Sequence, residues 1–339
     1  MSDPAPLSAL LHCFAALPTT AGDILFINGI FGPGVPLQTG SWHVVQPLKY
    51  EADRWPAQSV TLISEIPAAG CYERVLVLVP KQHQAARYDL ALATRCLGGP
   101  GGILLAAGAN DAGGRRIEND LAALGLPTSS YSRSKSRVVQ VNQSESVSRD
   151  VQSTWLAQGD YQPVVQRRFT SRPGLFSWDR IDEGSALLAV HIPVDLAGCG
   201  ADFGCGYGFL ATHVLQACPA VTSLICLDAD ARAVEACRRN TAAAAGRVTC
   251  GWHDLTVVPK VGPTLDFIVM NPPFHEGNIT RNQLGRAFIQ SAAACLRPGG
   301  RLLMVANTHL PYEDVLKELF ASVKILAVEQ GYKVIEARR

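Results

Sequence analysis

Short apolar runs rich in β-branched residues alternate with helix-patterned stretches along most of the chain, and the alternation occurs in both halves. A run that is apolar at every position, such as Val75-Leu76-Val77-Leu78-Val79 or Phe267-Ile268-Val269-Met270, is buried on both faces. A helix between two such runs supplies the crossover that a parallel sheet requires, so the pattern predicts an α/β chain. In the second half, strands are expected near 199–203, 222–228, 247–251, 265–270, 300–306, 322–329 and 332–338, with helices near 208–217, 230–244, 281–296 and 312–320. Gln330-Gly331 between the last two strands is a tight connection and makes them an antiparallel hairpin. The expected layout is a seven-strand, doubly wound, mostly parallel sheet of the Rossmann-like kind.

The first half reads as a worn copy, with strands near 24–27, 42–47, 75–79, 102–108 and 137–142 and helices near 82–97 and 115–125. Cys96-Leu97-Gly98-Gly99-Pro100-Gly101-Gly102-Ile103-Leu104-Leu105 echoes Cys295-Leu296-Arg297-Pro298-Gly299-Gly300-Arg301-Leu302-Leu303. Upstream of each echo, a buried strand runs into proline. A chain of 339 residues has room for two such domains. The stretch 128–174, rich in Ser, Gln and Arg and poor in regular pattern, is where the boundary is expected, giving domains 1–165 and 166–339.

Lys+Arg 30 against Asp+Glu 29 leaves a formal charge of +1, which excludes a nucleic-acid partner held by a strongly basic surface of the histone kind. Any such partner must be gripped locally. The ten cysteines include no C-x-x-C pair and sit in contexts such as Leu224-Ile225-Cys226-Leu227, so they read as small reduced hydrophobes and no metal is expected. The N-terminus has no basic region ahead of its mild apolar stretch, and no run is long enough for a membrane span. A cytoplasmic protein with no membrane partner is expected, its oligomeric state left open.

Asp202-Phe203-Gly204-Cys205-Gly206-Tyr207-Gly208 follows a strand and opens a helix. Glycines at alternate positions let the backbone turn sharply toward a ligand, and the helix start offers free amides. The spacing differs from the G-x-G-x-x-G of dinucleotide sites, and the leading acid would repel a pyrophosphate while suiting an ammonium group. Asp228 ends the next strand, where a carboxylate can hold a ribose diol, and Asp254 follows the strand after that, where an acid can meet an adenine amine. Asn271-Pro272-Pro273-Phe274 comes directly after a buried strand. Two prolines remove two backbone donors and stiffen the loop, so the acceptors there suit a planar exocyclic amine, with Phe274 as a stacking face for the ring that bears it.

These motifs resemble those of the class I S-adenosylmethionine-dependent methyltransferases that act on amino groups, and in particular the ribosomal RNA guanine-N2-methyltransferases of the small-subunit (16S) type. The residues that carry the resemblance are Arg172-Pro173-Gly174-Leu175-Phe176-Ser177, Asp182-Glu183-Gly184-Ser185, Asn271-Pro272-Pro273-Phe274-His275-Glu276-Gly277 and Val305-Ala306-Asn307-Thr308-His309-Leu310-Pro311-Tyr312. The resemblance implies two methyltransferase-like domains, the first degenerate, and S-adenosylmethionine as cofactor. Asp202, Gly204, Gly206, Gly208, Asp228, Asp254 and Phe176 would bind it. Asn271 and the Pro272 carbonyl would accept hydrogen bonds from the target amine, with Pro273 stiffening the loop and Phe274 holding the flipped base. His275 reads better as an RNA contact or structural donor than as a base. The chain departs from the family pattern at Tyr207, where a small residue is usual. In the first domain Asn28-Gly29-Ile30-Phe31-Gly32 has no leading acid, and Pro80-Lys81 stands in place of the tetrapeptide, so no cofactor binding is expected there.

The implied partner is ribosomal RNA or a ribosomal subunit, with Lys81, Arg133, Lys135, Arg137, Arg167, Arg168 and Arg172 as candidate contacts. Within the enzyme class, the alternatives are the large-subunit guanine-N2 enzymes and methylation of adenine N6 or of a protein glutamine. Outside it stands a non-catalytic RNA-binding assembly factor, against which the intact Asp202, Asp228 and Asn271 argue.

Overall fold

A computed structural model describes residues 3–63, 67, 69–99, 101–142, 147–261, 264–272 and 281–339, the side chains of 281 and 282 excepted. Two compact units divide the chain, Met1–Gln162 and Pro163–Arg339. The first contains α1 (Ala5–Ala15), β1 (Asp23–Ile27), β2 (Ser41–Val45), α2 (Lys49–Ala52), β3 (Val60–Leu62), β4 (Arg74–Leu78), α3 (His83–Cys96), β5 (Ile103–Ala109), α4 (Ile117–Ala123), β6 (Ser129–Arg133), β7 (Ser136–Asn142) and α5 (Arg149–Gly159). A small pair, β8 (Gln162–Val164) and β9 (Phe169–Ser171), leads into the second unit. There follow α6 (Glu183–Val190), β10 (Gly198–Phe203), α7 (Phe209–Ala217), β11 (Val221–Asp228), α8 (Ala231–Asn240), β12 (Val248–Trp252), β13 (Leu265–Met270), α9 (Arg281–Cys295), β14 (Leu296–Asn307), α10 (Glu313–Leu319), β15 (Ser322–Glu329) and β16 (Tyr332–Arg338).

The first sheet runs β3-β2-β1-β4-β5-β7-β6 and the second β12-β11-β10-β13-β14-β16-β15. Counted within each unit these are the same order, so the sequence echo corresponds to a repeated topology. In both, the last two strands form an antiparallel hairpin against an otherwise parallel sheet. Apolar clusters cover both faces of each sheet, as the unbroken hydrophobic strands require. Strands are added outward on one side of β10 through β11 and β12 and on the other side from β13 onward, and that switch point between parallel β10 and β13 opens a crevice at the strands' carboxyl ends.

The stretch 128–174 is more regular than its composition suggests. β6 is exposed along its whole length and β3 nearly so, and each lies at a sheet edge, where little is buried and no alternation is imposed on the residues. α5 lies against α3 through one small residue: Gly159 sits where a Cβ would come 2.3 Å from Tyr88 Cβ, and Arg87 stacks 4.8 Å over the Trp155 ring. α6 is not marked by a periodic pattern in the sequence, because its apolar residues do not fall on one face, and its start carries only the Asp182 cap as a signal.

Gly198 and Gly200 interrupt the strand pattern of β10 without breaking the strand. Gly198 takes φ 79° at a bulge, and Gly200 leaves room for Phe267, whose ring lies 2.1 Å from where an added Cβ would be. Gly200→Ala is therefore expected to destabilise the second unit by about 1–3 kcal/mol through overpacking. Urea denaturation measures it, and an unchanged midpoint would contradict the close approach.

Candidate active site

The loop after β10 is built from conformations that side chains resist. Gly204, Gly206 and Gly208 have φ of 76°, 53° and 88°. At Gly208 space is also closed, since a Cβ would lie 2.9 Å from Cys237 Sγ. A glycine at the helix start leaves α7 without a side-chain cap of its own. Asp202 meets that need from beneath: its Oδ2 accepts from the Ala211 N–H at 3.0 Å, inside the first turn. Asp202 is fully buried, its other oxygen has no partner, and burial pushes its carboxyl well above the usual range.

The neighbouring acid fastens the loop's other side. Asp228 Oδ2 accepts from the Gly206 N–H at 2.8 Å and Oδ1 from the Asp230 N–H at 2.9 Å, while Gly204 and Cys205 donate to the Leu227 carbonyl at 2.8 and 3.0 Å. Burial pushes the Asp228 carboxyl up to about 7. Tyr207, the bulky residue of the loop, turns inward: its ring packs 5.4 Å from Phe169 and its hydroxyl donates to the Arg180 carbonyl at 3.0 Å. Asn240 completes the brace by donating to the carbonyls of Tyr207 and Thr170 and accepting from the Thr170 N–H. The departure at Tyr207 thus ties β9 and the segment near 180 to the glycine loop.

Across the switch point, β13 delivers Asn271 beside Gly204, whose added Cβ would lie 3.8 Å from the Asn271 carbonyl oxygen. The amide of Asn271 is fixed by two bonds: Nδ2 donates to Asp182 Oδ2 and to Ser185 Oγ, both at 2.8 Å. Asp182 is itself held as the cap of α6, accepting from the Ser185 N–H at 2.9 Å. With both donor hydrogens committed, Asn271 Oδ1 is left buried and without a partner.

A cleft of about 420 Å³, counting its open mouth, joins these parts. Its wall includes Phe176, Asp182, Ser185, Gly204, Gly206, Tyr207 and Asn271, and among the described residues that line it Asp182 is the only charged one. A wall whose described residues include an acid and no Lys or Arg suits a cationic ligand and disfavours a pyrophosphate. Phe176, 62% exposed, stands at the cleft with its ring free to cover a ligand.

Several expected site residues fall elsewhere. Asp202, expected to face an ammonium group, is turned to the α7 backbone, because that uncapped helix start lies directly over it. Asp254 is not brought to the cleft wall: its Oδ1 accepts from the Thr256 N–H at 2.9 Å and the Thr256 hydroxyl at 2.7 Å, a local turn. Pro272 is buried, while Pro273, Phe274 and His275 lie outside the described residues. Asp182 and Ser185 carry a task that sequence reasoning did not assign; the readable signal was the D-x-x-S start of a helix.

Residues 166–336 match the family model described as methyltransferase small domain, which places the second unit in the class of S-adenosylmethionine-dependent methyltransferases. Over 334 residues the chain is 35% identical to the ribosomal RNA small subunit methyltransferase C of Pseudomonas paraeruginosa, covering 97% of this chain and 96% of that one. The protein of the same name from Shewanella loihica is 32% identical, with 81% and 80% covered. The solved T. thermophilus 16S rRNA N2 G1207 methyltransferase, in complex with AdoMet and guanosine, superposes with a TM-score of 0.79 at 25% identity, covering 98% of this chain and 92% of that one. The chain belongs to the ribosomal RNA small subunit methyltransferase C family. Among the described residues no helix is long and apolar enough to cross a membrane.

Proposed function

We propose that the second unit transfers the methyl group of S-adenosylmethionine to the exocyclic N2 amine of a guanine in 16S ribosomal RNA. The observation that carries this reading is Asn271, which lines the cleft: its donors are spent on Asp182 and Ser185, and its acceptor is left buried and unpaired. An unpaired buried acceptor is costly unless a donor arrives, and an aromatic amine brings two.

Bound S-adenosylmethionine supplies an electrophilic methyl group on a sulfonium cation. The glycine loop and Phe176 would hold it, with Asp228 accepting from the ribose hydroxyls, while Asp254, committed to its turn with Thr256, takes no part in the contact. Asp202 would act through the loop it supports, and the acidic wall favours the positive charge. Asn271 Oδ1, with the Pro272 carbonyl, would accept from the guanine amine and orient its lone pair, which is delocalised into the ring and needs positioning more than a strong base. Pro273 would stiffen that loop, and Phe274 would stack on the base. The proton leaves the methylated amine for water at the cleft's open mouth.

The first unit is assigned RNA docking rather than chemistry. Its Asn28 donates to the Leu78 carbonyl and Asp89, and the Gly29 carbonyl accepts from Gln46 and from the buried Trp55, so the worn loop is bound into its own core. Arg133 and Lys135 are exposed at the β6–β7 turn of the first unit, and Arg167 and Arg168 at the β8–β9 turn where the second unit begins, while Arg137 is paired with Glu118 at 3.0 Å. Neutralising Arg133, Lys135, Arg167 and Arg168 together should weaken RNA binding and flatten its salt dependence, since each phosphate contact releases counterions. Cofactor affinity should stay as it was. An unchanged salt slope would place the docking face elsewhere. Acting on ribosomal RNA, the protein works in the cytoplasm.

Mass mapping of methylated guanines in 16S RNA tests the reading as a whole. Cells without the protein should lack one N2-methylguanine, restored by the wild-type chain. Full methylation at every N2 site in its absence would overturn the assignment.

A further inference from the structure

Beneath the glycine loop three elements bring thiols together. Cys226 on β11 and Cys250 on β12 are register partners, and Cys237 on α8 lies over them. Their sulfurs all lie within 4.8 Å of one another, with Cys250 Sγ 3.9 Å from Cys237 Sγ. A metal–sulfur bond of about 2.3 Å sets neighbouring thiolate sulfurs about 3.8 Å apart in tetrahedral and about 4.0 Å apart in trigonal coordination. The Cys237–Cys250 spacing matches that edge, and with all three sulfurs within 4.8 Å of one another a shift of under an ångström lets them share one ion. Cys226 and Cys237 are fully buried, while Cys250 is partly exposed and gives the cluster a side open to solvent.

We propose that Cys226, Cys237 and Cys250 form a binding site for a thiophilic d10 divalent cation, Zn²⁺ or its heavier congener Cd²⁺, separate from the methyl-transfer cleft. Thiolates select such soft ions over Mg²⁺ or Ca²⁺. On binding, each thiol passes its proton to water as its sulfur donates a lone pair to the ion, and nothing is oxidised or reduced. Three thiolates and a divalent ion leave a single net negative charge. Because Cys237 is the floor under Gly208, an ion here joins β11, β12 and α8 directly below the loop. The sequence concealed the site: 226, 237 and 250 have no C-x-x-C spacing, and only the packing of α8 over two parallel strands converges them.

The test is titration of the reduced full-length protein with Cd²⁺, followed by the ultraviolet thiolate-to-metal charge-transfer absorbance. One saturable site per chain is expected, weakened by about a hundredfold or more in Cys250→Ser, beyond the usual effect of outer-shell changes. A chain carrying Cys71→Ser and Cys199→Ser, both exposed cysteines outside the cluster, should bind as the wild type does. X-ray absorption of the zinc-loaded wild-type protein should report at least three sulfur neighbours, a readout that needs no variant to fold. Absence of a saturable band overturns the proposal, as does a band that survives Cys250→Ser in a variant that still binds S-adenosylmethionine. A first shell dominated by nitrogen or oxygen overturns it too.

Discussion

Asn271→Ala is expected to lower turnover by about a hundredfold or more, the effect of losing one preorganised polar group aimed at a reacting centre. S-adenosylmethionine affinity should scarcely change, because the substitution leaves the glycine loop and its two acids in place. Single-turnover methylation of 16S RNA and titration calorimetry separate the two quantities. The structure adds a second tier, since the amide acts only while Asp182 and Ser185 hold it. Ser185→Ala removes one of those two bonds and keeps the acceptor, so its loss of turnover should be smaller than that of Asn271→Ala. Near wild-type turnover in Asn271→Ala would remove the residue from the chemistry.

Asp228→Ala should weaken cofactor binding by about 1.5–3 kcal/mol, the range for hydrogen bonds to a charged group, or roughly tenfold to a hundredfold and somewhat more. The residue anchors Gly206 through Oδ2 and the Asp230 N–H through Oδ1, and the further lone pairs of a carboxylate would accept from a ribose. Its pH dependence is distinctive. Burial raises the carboxyl from 3.8 to about 7 in the empty site, whereas the ribose hydroxyls and a nearby cation favour the ionised form. Cofactor affinity should therefore rise as pH increases through about 7, and Asp228→Asn should flatten that rise. The linked effect on the empty protein has the opposite sign: a raised acid holds its proton more tightly when folded, so its contribution to stability is full below 3.8 and is lost as pH climbs through about 7. A cofactor-binding profile identical in wild type and Asp228→Asn would contradict the role given to this carboxyl.

The first unit shows what a duplicated fold keeps and loses. Its sheet retains the strand order of the second, because that order depends only on where buried apolar strands and crossover helices fall. Its glycine loop is committed to Trp55 and Gln46, side chains supplied by the segments after β2 and α2. Composition alone could show that the acid and the tetrapeptide were missing. It could not show what had taken the loop's place.

The sequence by itself determined the α/β class, the seven strands of the second unit, the glycine loop and the position of Asn271, because each is written in local periodicity or in adjacent residues. Buried strands must be apolar throughout, and a backbone turning at alternate positive φ must carry glycine there. Edge strands such as β6 escaped because an exposed strand imposes no such demand. Only the tertiary structure decided which way the polar groups face. Asn271 is oriented by Asp182, 89 positions earlier, and Asp202 is claimed by a helix start that lacks its own cap. The thiols of Cys226, Cys237 and Cys250 converge only when α8 packs onto β11 and β12. Hydrogen bonds and sulfur contacts act over about 3–4 Å, so partners this distant in the chain are chosen by the packing of whole elements.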